Sequence, residues 1–164
     1  TWPAGIAYVL VSFIVFYQEK LYADLILHVF FLVLNIYGWI AWTRGKKKSG
    51  EELTITRSSF QRTSILLILS AAGILLSGFL MKRYTDASLP YWDSATSILS
   101  VTGMWLTARK KIDNWYYWFA VDILATGIYF YKEMYFYALL YFIYIGLAVA
   151  GYREWKKIMT ASPA

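Results

Sequence analysis

The sequence predicts an all-α membrane protein that crosses the bilayer several times. Of its 164 residues, 59% are hydrophobic and only 16% are charged, whereas about a quarter of the residues in a soluble domain are charged. The hydrophobic residues fall in long blocks between short charged stretches, a pattern typical of transmembrane helices and not of a β-barrel. With only 3 prolines in the chain, these blocks favour continuous helices.

Six hydrophobic blocks predict six membrane-spanning helices. Several are shorter than the roughly 20 residues of a typical crossing, so we expect tilting or extension into their aromatic ends. The long polar stretch from Arg44 to Arg62 is predicted to be a solvated loop between the second and third helices. The six blocks are Pro3–Tyr17, Leu21–Thr43, Thr63–Met81, Tyr91–Thr107, Trp115–Tyr131 and Tyr135–Tyr152.

The distribution of Lys and Arg predicts the orientation in the membrane. Twelve of the 16 basic residues lie on the side that holds the 44–62 loop, residues 109–111 and the C-terminal tail. Because cytoplasmic loops are enriched in Lys and Arg, we expect this side, with the C-terminus, in the cytoplasm of a bacterium and the chain in the inner membrane. The net charge of +6 then reflects topology, and we expect no nucleic-acid partner.

Two parts of the chain repeat each other. Equivalent helices would run in the same direction, which predicts a parallel repeat with a pseudo-twofold axis along the membrane normal. Gly38 and Gly151, at matched positions, predict close helix packing. The segment Phe16-Tyr17-Gln18-Glu19 matches Phe130-Tyr131-Lys132-Glu133, and Trp2, Tyr22, Gly38 and Trp42 match Trp115, Tyr135, Gly151 and Trp155, 113 residues later.

This repeat predicts two three-helix units joined by a linker helix, a 3+1+3 arrangement. The fourth hydrophobic block leads directly into the Trp115 helix and is the first helix of the second unit, so we expect its counterpart before Thr1, outside this sequence. We divide the chain into 1–62, the second and third helices of the first repeat with the cytoplasmic loop; 63–90, the linker helix; and 91–164, the second repeat and cytoplasmic tail.

Polar and tryptophan side chains within the predicted helices indicate a binding site for a polar ligand. Asn and Asp are costly in hydrocarbon unless they line a cavity or find a partner. Offsets of three and four place such residues on one face of each of two helices. The alternatives are hydrogen bonds between helices for the Asn and Asp residues and an interfacial aromatic belt for the tryptophans. The candidate ligand contacts are Asn35, Trp39, Trp115, Trp118, Asp122 and Thr126.

Two further residues are candidates for an outer gate, and other site classes are disfavoured. Trp92 and Asp93 begin the fourth helix, where Asp93 also suits a helix start because a carboxylate complements the helix dipole. Trp42, beside Arg44, is interpreted as a belt residue. With no Cys and one His, we expect no metal site and no cofactor, and no set of acid, base and nucleophile predicts an enzyme.

Four motifs along the chain are specific in combination: Asn35-Ile36-Tyr37-Gly38-Trp39, Pro90-Tyr91-Trp92-Asp93-Ser94, Thr107-Ala108-Arg109-Lys110 and Asn114-Trp115 with Trp118. Together they resemble the motifs of the Pnu vitamin transporter family, over nearly the whole chain. The family is similar to an enlarged SWEET sugar transporter with parallel three-helix repeats. The resemblance implies facilitated diffusion of a vitamin, most closely nicotinamide riboside, trapping by cytoplasmic phosphorylation, and a homotrimer.

Nicotinamide riboside suits these residue types, although one position departs from the family pattern. Tryptophan faces attract its flat pyridinium cation, and amide or carboxylate groups can pair with its carboxamide and ribose hydroxyls. Asp122 stands where other members carry Asn, so an acid there favours a cation or alters hydroxyl recognition. The alternatives are another cationic vitamin such as thiamine, an intramembrane enzyme, or a membrane protein that transports nothing.

Overall fold

The computed structural model describes residues 2–18, 22–44 and 53–161. The all-α prediction is confirmed for these residues, and every predicted helix end but one lies within three residues of the observed end. The helices are α1 (Trp2–Gln18), α2 (Tyr22–Arg44), α3 (Phe60–Tyr84), α4 (Pro90–Ala108), α5 (Asn114–Tyr131) and α6 (Tyr135–Ala161).

Helix α6 is the exception, because it continues nine residues beyond the predicted end at Tyr152. Its last turns are polar, and Glu154 and Lys157 form an ion pair of 3.8 Å along the helix surface. Within the described ranges, α3 and α6 have the length and apolar composition to cross a membrane by themselves.

Helices α4 and α5 both end in a Schellman motif without glycine. Lys110, with φ of 50°, and Glu133, with φ of 58°, take the left-handed position after the helix. The amide of Lys111 then donates to the Leu106 carbonyl at 2.9 Å, which satisfies one of the last helical carbonyls. At the other end, α4 begins with Pro90 in its first turn, where the missing N–H costs no hydrogen bond.

Helix α4 lies at the centre of the bundle. It packs against α2, α3 and α5, whereas α1 packs against α2 and α6 against α5. In the described ranges, no other pair of helices brings its backbones this close. A hydrogen bond of 3.2 Å between the hydroxyls of Ser70 and Thr102 joins α3 to α4. A Cβ atom at Gly103 of α4 would come within 3.2 Å of the Tyr117 Cβ and 3.4 Å of the Trp118 ring on α5, so the glycine allows the two helices to approach closely.

Part of the stretch predicted to be a solvated loop is docked onto the α4–α5 turn. The backbone of Thr56 exchanges hydrogen bonds with Lys110 and Ile112, at 3.1 and 3.0 Å. The Asp113 carboxylate accepts a bond of 2.6 Å from the Ser58 amide. Residues 53–59 remain a loop of exposed and part-buried residues, but the backbone groups of Thr56 and Ser58 dock this loop onto the turn. Residues 45–52 lie outside the described ranges.

Two glycines at matched sequence positions lie under tryptophan rings. A Cβ atom at Gly38 would overlap the Trp2 indole, and one at Gly151 would overlap the Trp115 indole. Each contact joins the two helices of a matched pair, α1 to α2 and α5 to α6. The glycines were expected to let helices approach; here they provide flat surfaces for rings.

Candidate binding site

A cavity of about 520 Å³ lies at the end of the bundle where α2, α4 and α6 finish and where α1 and α5 begin. Its volume falls within the range of small-molecule pockets. Five of its ten lining residues are tryptophans, and two are asparagines. The lining consists of Trp2, Gly5, Asn35, Trp42, Met104, Thr107, Asn114, Trp115, Trp118 and Trp155.

Four of the tryptophans form a linked cluster across the cavity. Trp2 meets Trp42 edge to face, with ring centroids 5.5 Å apart and an interplanar angle of 81°. Trp115 meets Trp155 in nearly the same way, at 5.6 Å and 87°. Trp42 and Trp155 lie 6.1 Å apart and join the two pairs. The cavity therefore has aromatic walls contributed by both matched helix pairs.

Hydrogen bonds hold two of the indoles in place. The Trp42 Nε1 donates to the carbonyl oxygens of Thr107 and Ala108, each at 3.2 Å. The Trp118 Nε1 donates to the Thr107 hydroxyl at 3.1 Å. Both rings are thereby fixed against the end of α4, and their own N–H groups are already satisfied.

Other polar atoms of the cavity have no partner among the described residues. They are Oδ1 of Asn114 and the Nε1 atoms of Trp2 and Trp115, all buried. The Asn114 side chain is fully buried, and its Nδ2 donates to the Lys111 carbonyl at 2.6 Å. Because an unpaired buried polar group costs free energy, a ligand that supplies one donor and two acceptors would be stabilised here.

Asn35 occupies the opposite wall. It is 3% exposed, and its Nδ2 donates to the Phe31 carbonyl of its own helix at 2.9 Å. A Cβ atom at Gly5 would overlap the amide oxygen of Asn35, so the glycine makes room for it. In the sequence repeat, Asn35 matches Ala148 and Gly5 matches Trp118. The cavity wall from α1 and α2 therefore differs chemically from the wall from α5 and α6.

The structure brings three of the six predicted contacts, Asn35, Trp115 and Trp118, into one cavity. Trp39 does not line it; its side chain is 45% exposed on the bundle exterior. The cavity face of α2 carries Asn35 and Trp42, and Trp39 is rotated round the helix by about 40° from Asn35 and by about 60° from Trp42, away from the cavity. Trp42, interpreted from the sequence as a belt residue, therefore lines the cavity.

Asp122 and Thr126 also lie outside this cavity, deeper in α5. Asp122 is 6% exposed, and its carboxylate has no hydrogen-bond partner in the described ranges. The Thr126 hydroxyl donates to the Asp122 carbonyl at 2.7 Å; this bond within the helix uses its donor and leaves its lone pairs to accept a hydrogen bond.

The predicted gate residues lie at the other end of the bundle. Asp93 Oδ1 and Lys132 Nζ are 3.5 Å apart, and this ion pair joins the start of α4 to the end of α5. Both residues line a second, smaller cavity of about 180 Å³ with Tyr129 and Tyr141. Trp92 is 51% exposed and faces outwards.

Sequence reasoning did not select Trp2, Trp155 and Asn114 as ligand contacts. The repeat carried a signal for the first two, because Trp2 and Trp155 are the partners of Trp115 and Trp42 at a spacing of 113. Asn114 stands beside Trp115 in the same motif, and this neighbouring position is the signal that could have selected it.

A family model described as nicotinamide mononucleotide transporter matches residues 1–157. The chain belongs to this transporter family. Membership in the nicotinamide mononucleotide transporter family makes the chain a membrane protein and confirms the resemblance to the Pnu transporters.

Relatives in the family carry transporter names. The nicotinamide riboside transporter PnuC of Escherichia coli is 29% identical over an alignment of 169 residues, gaps included, that covers 87% of this chain and 70% of the relative. The riboflavin/roseoflavin transporter RibM of Streptomyces davaonensis is 26% identical over 157 residues, covering 94% and 73%. The crystal structure of the vitamin B3 transporter PnuC superposes with a TM-score of 0.71 at 19% identity, covering 97% and 72%, so the fold is shared.

Proposed function

We propose that this chain takes up nicotinamide riboside by facilitated diffusion. The observation that carries the proposal is the cavity with five tryptophans and unpaired polar atoms on Asn114, Trp2 and Trp115. The nicotinamide riboside transporter of E. coli, similar over 87% of the chain, supports the same ligand.

The ligand's chemistry matches the walls of the cavity. A pyridinium cation over an indole face gains about 0.5–2 kcal/mol, more where water is excluded. The Asn114 Oδ1 can accept a hydrogen bond from the carboxamide N–H or a ribose hydroxyl. The free N–H groups of Trp2 and Trp115 can donate to the ligand's oxygens.

The electrostatics favour the riboside over its phosphorylated form. A phosphate group is bound through Arg, Lys or clustered N–H donors, and the described lining holds no Lys or Arg. Lys110 Nζ lies 5.2 Å from the Trp42 ring centroid, but it donates to the Leu53 carbonyl at 2.9 Å. A mononucleotide would leave its charge unpaired in this cavity.

We further propose alternating access between the two ends of the bundle. The large cavity would face the cytoplasm, with the C-terminus on that side of a bacterial inner membrane, and the ion pair of Asp93 and Lys132 would close the outer end beside Trp92. Asp122 lies on α5 between the cavity residue Trp118 and the smaller cavity, which supports a role on the pathway. The 3+1+3 arrangement and the homotrimer stay predictions.

Riboflavin is a second candidate ligand, because the riboflavin/roseoflavin transporter is similar over 94% of this chain. Its flavin ring would stack on tryptophan without the contribution of a cation. Thiamine, another flat cation with a hydroxyl, is the third compound to compare.

Binding titrations of the three vitamins on purified protein test the proposal. We expect nicotinamide riboside to bind most tightly, and Asn114→Ala to weaken it roughly 5–150-fold, for the loss of one hydrogen bond worth about 1–3 kcal/mol. Trp115→Phe should also weaken binding, whereas Trp39→Phe, a matched change on the exterior, should not. If a folded Asn114→Ala protein binds nicotinamide riboside with wild-type affinity, the proposed site is wrong. If the protein binds riboflavin and neither of the other two vitamins, riboflavin replaces nicotinamide riboside as the proposed ligand.

A further inference from the structure

A separate cavity of about 450 Å³ lies on the outside of the bundle, at the same end as the tryptophan cavity. Its walls come from α2 at Tyr37, the first turn of α3 at Arg62, the α4–α5 turn at Arg109 and Lys111, and the docked loop at Thr56. The vitamin site just described does not include it.

The cavity is strongly cationic. Three of its lining residues, Arg62, Arg109 and Lys111, are basic, and no described lining residue is acidic. Asp113, close by on the same turn, is engaged by the Ser58 amide at 2.6 Å and by Arg57 at 3.8 Å. The positive charge of the cavity is therefore not neutralised by the described part of the protein.

The cations are held in place by their neighbours. Lys111 Nζ donates to the Thr56 hydroxyl at 2.7 Å, and the Arg109 guanidinium lies 4.7 Å from the Trp105 ring centroid. Burial, and then the positive charge of Arg62, lower the pKa of Lys111, while Asp113 partly opposes them. A bound anion would relieve the repulsion among these groups.

The position of the cavity determines what can reach it. Helices α2 and α4 end beside it and α3 begins beside it, so it opens at the level where helices leave the membrane. Basic pockets at this level between transmembrane helices bind anionic headgroups, and Arg pairs with phosphate oxygens through two parallel hydrogen bonds.

We propose that this cavity binds a phosphate-bearing anion, supplied by an anionic lipid headgroup or by free phosphate. The site is independent of vitamin transport, and its ligand would stabilise the end of α4 together with the docked loop 53–59.

Thermal unfolding of the purified full chain, followed by tryptophan fluorescence, tests the site. One titration uses short-chain phosphatidylglycerol with phosphatidylcholine of equal chain length as reference, and another uses inorganic pyrophosphate. Arg62→Gln/Arg109→Gln is the test variant, and Arg153→Gln, a charge removed from the exposed surface of α6, is the control. Each basic residue near the membrane surface contributes about fivefold to the affinity for an anionic lipid. The double variant should therefore bind phosphatidylglycerol roughly 25-fold more weakly than the wild type.

The outcomes separate the possibilities. Stabilisation by phosphatidylglycerol alone assigns the site to a lipid, and stabilisation by pyrophosphate as well assigns it to the phosphate group itself. If the Gln double variant does not fold, Arg62→Lys/Arg109→Lys should keep part of the response, because Lys retains the charge but not the two parallel hydrogen bonds, while Lys111→Gln weakens it. Any of three results overturns the proposal. The Gln double variant is stabilised as much as the wild type, Arg153→Gln loses as much stabilisation as the double variant, or the wild type is not stabilised at all.

Discussion

Replacing Gly151 by Ala should displace the Trp115 ring and so disrupt the cavity wall that Trp115 forms with Trp155. A Cβ atom at this position would overlap the Trp115 indole. The indole would have to move, and because Trp115 lines the cavity, the cavity wall would move with it. The ring would shift away from Trp155, which it meets edge to face at 5.6 Å. Gly146, one and a half turns earlier on α6, has no atom within 4 Å of such a Cβ.

The difference between the two variants isolates the packing cost. Both substitutions gain the same helix propensity, about 0.8–1 kcal/mol for Gly to Ala, and this gain cancels in the comparison. Overpacking a close contact costs about 1–3 kcal/mol, part of which is the edge-to-face contact, worth about 0.5–1.5 kcal/mol. For a chain of this size, Gly151→Ala should therefore melt roughly 2–12 °C below Gly146→Ala.

Tryptophan fluorescence during thermal unfolding measures this difference, and nicotinamide riboside titration measures the effect on the cavity. The double variant Gly151→Ala/Trp115→Phe should recover part of the stability, since the smaller ring leaves room for the methyl group. Equal melting temperatures for Gly151→Ala and Gly146→Ala, with unchanged ligand affinity, would refute the account of Gly151 as a surface for the ring.

Three further predictions concern contacts outside the cavity. Ser70→Ala removes the hydroxyl contact to Thr102 and should cost about 0.6 kcal/mol, at most about 1.7. A thermal or denaturant unfolding comparison with Ser64→Ala, whose hydroxyl bonds within its own helix, measures this cost. Asp113→Asn weakens the charged acceptor for the Ser58 amide and should speed amide exchange of residues 53–59; exchange at the wild-type rate would count against the docking. The pKa of Lys111 is lowered in the folded state, so the folded state binds fewer protons at this residue than the unfolded state does. The free energy of unfolding of the wild type, relative to Lys111→Gln, should therefore rise as the pH increases towards about 10.4. A difference that stays flat or falls between pH 8 and 10 would contradict this.

The helices were predictable because hydrophobic blocks report burial in lipid directly. Errors arose where a helix or loop leaves that environment. Helix α6 continues to Ala161 through residues that are polar but still helix-forming, so hydropathy placed its end too early. The docking of residues 53–59 depends on backbone hydrogen bonds to the α4–α5 turn, and these bonds leave no trace in side-chain polarity.

The binding cavity was predictable only in part, for a geometric reason. Spacing shows which residues share a helix face, but a face is broad and only a narrow strip of it meets the cavity. On α2 that strip passes through Asn35 and Trp42 and misses the exposed Trp39, although Trp39 is only four residues from Asn35. Which strip points inward depends on how α1 and α6 pack, information that no single helix contains.

The central position of α4 has a mechanical consequence. In the described residues, the α1–α2 pair is joined to the rest of the bundle by the seam between α2 and α4, which can act as a hinge axis. Swinging this pair would leave the α4–α5–α6 packing intact and would break the ring contact of Trp42 with Trp155, worth about 0.5–1.5 kcal/mol. The facilitated diffusion proposed above needs interconverting states within a few kcal/mol of each other, and the loss of a contact of this size stays within that range.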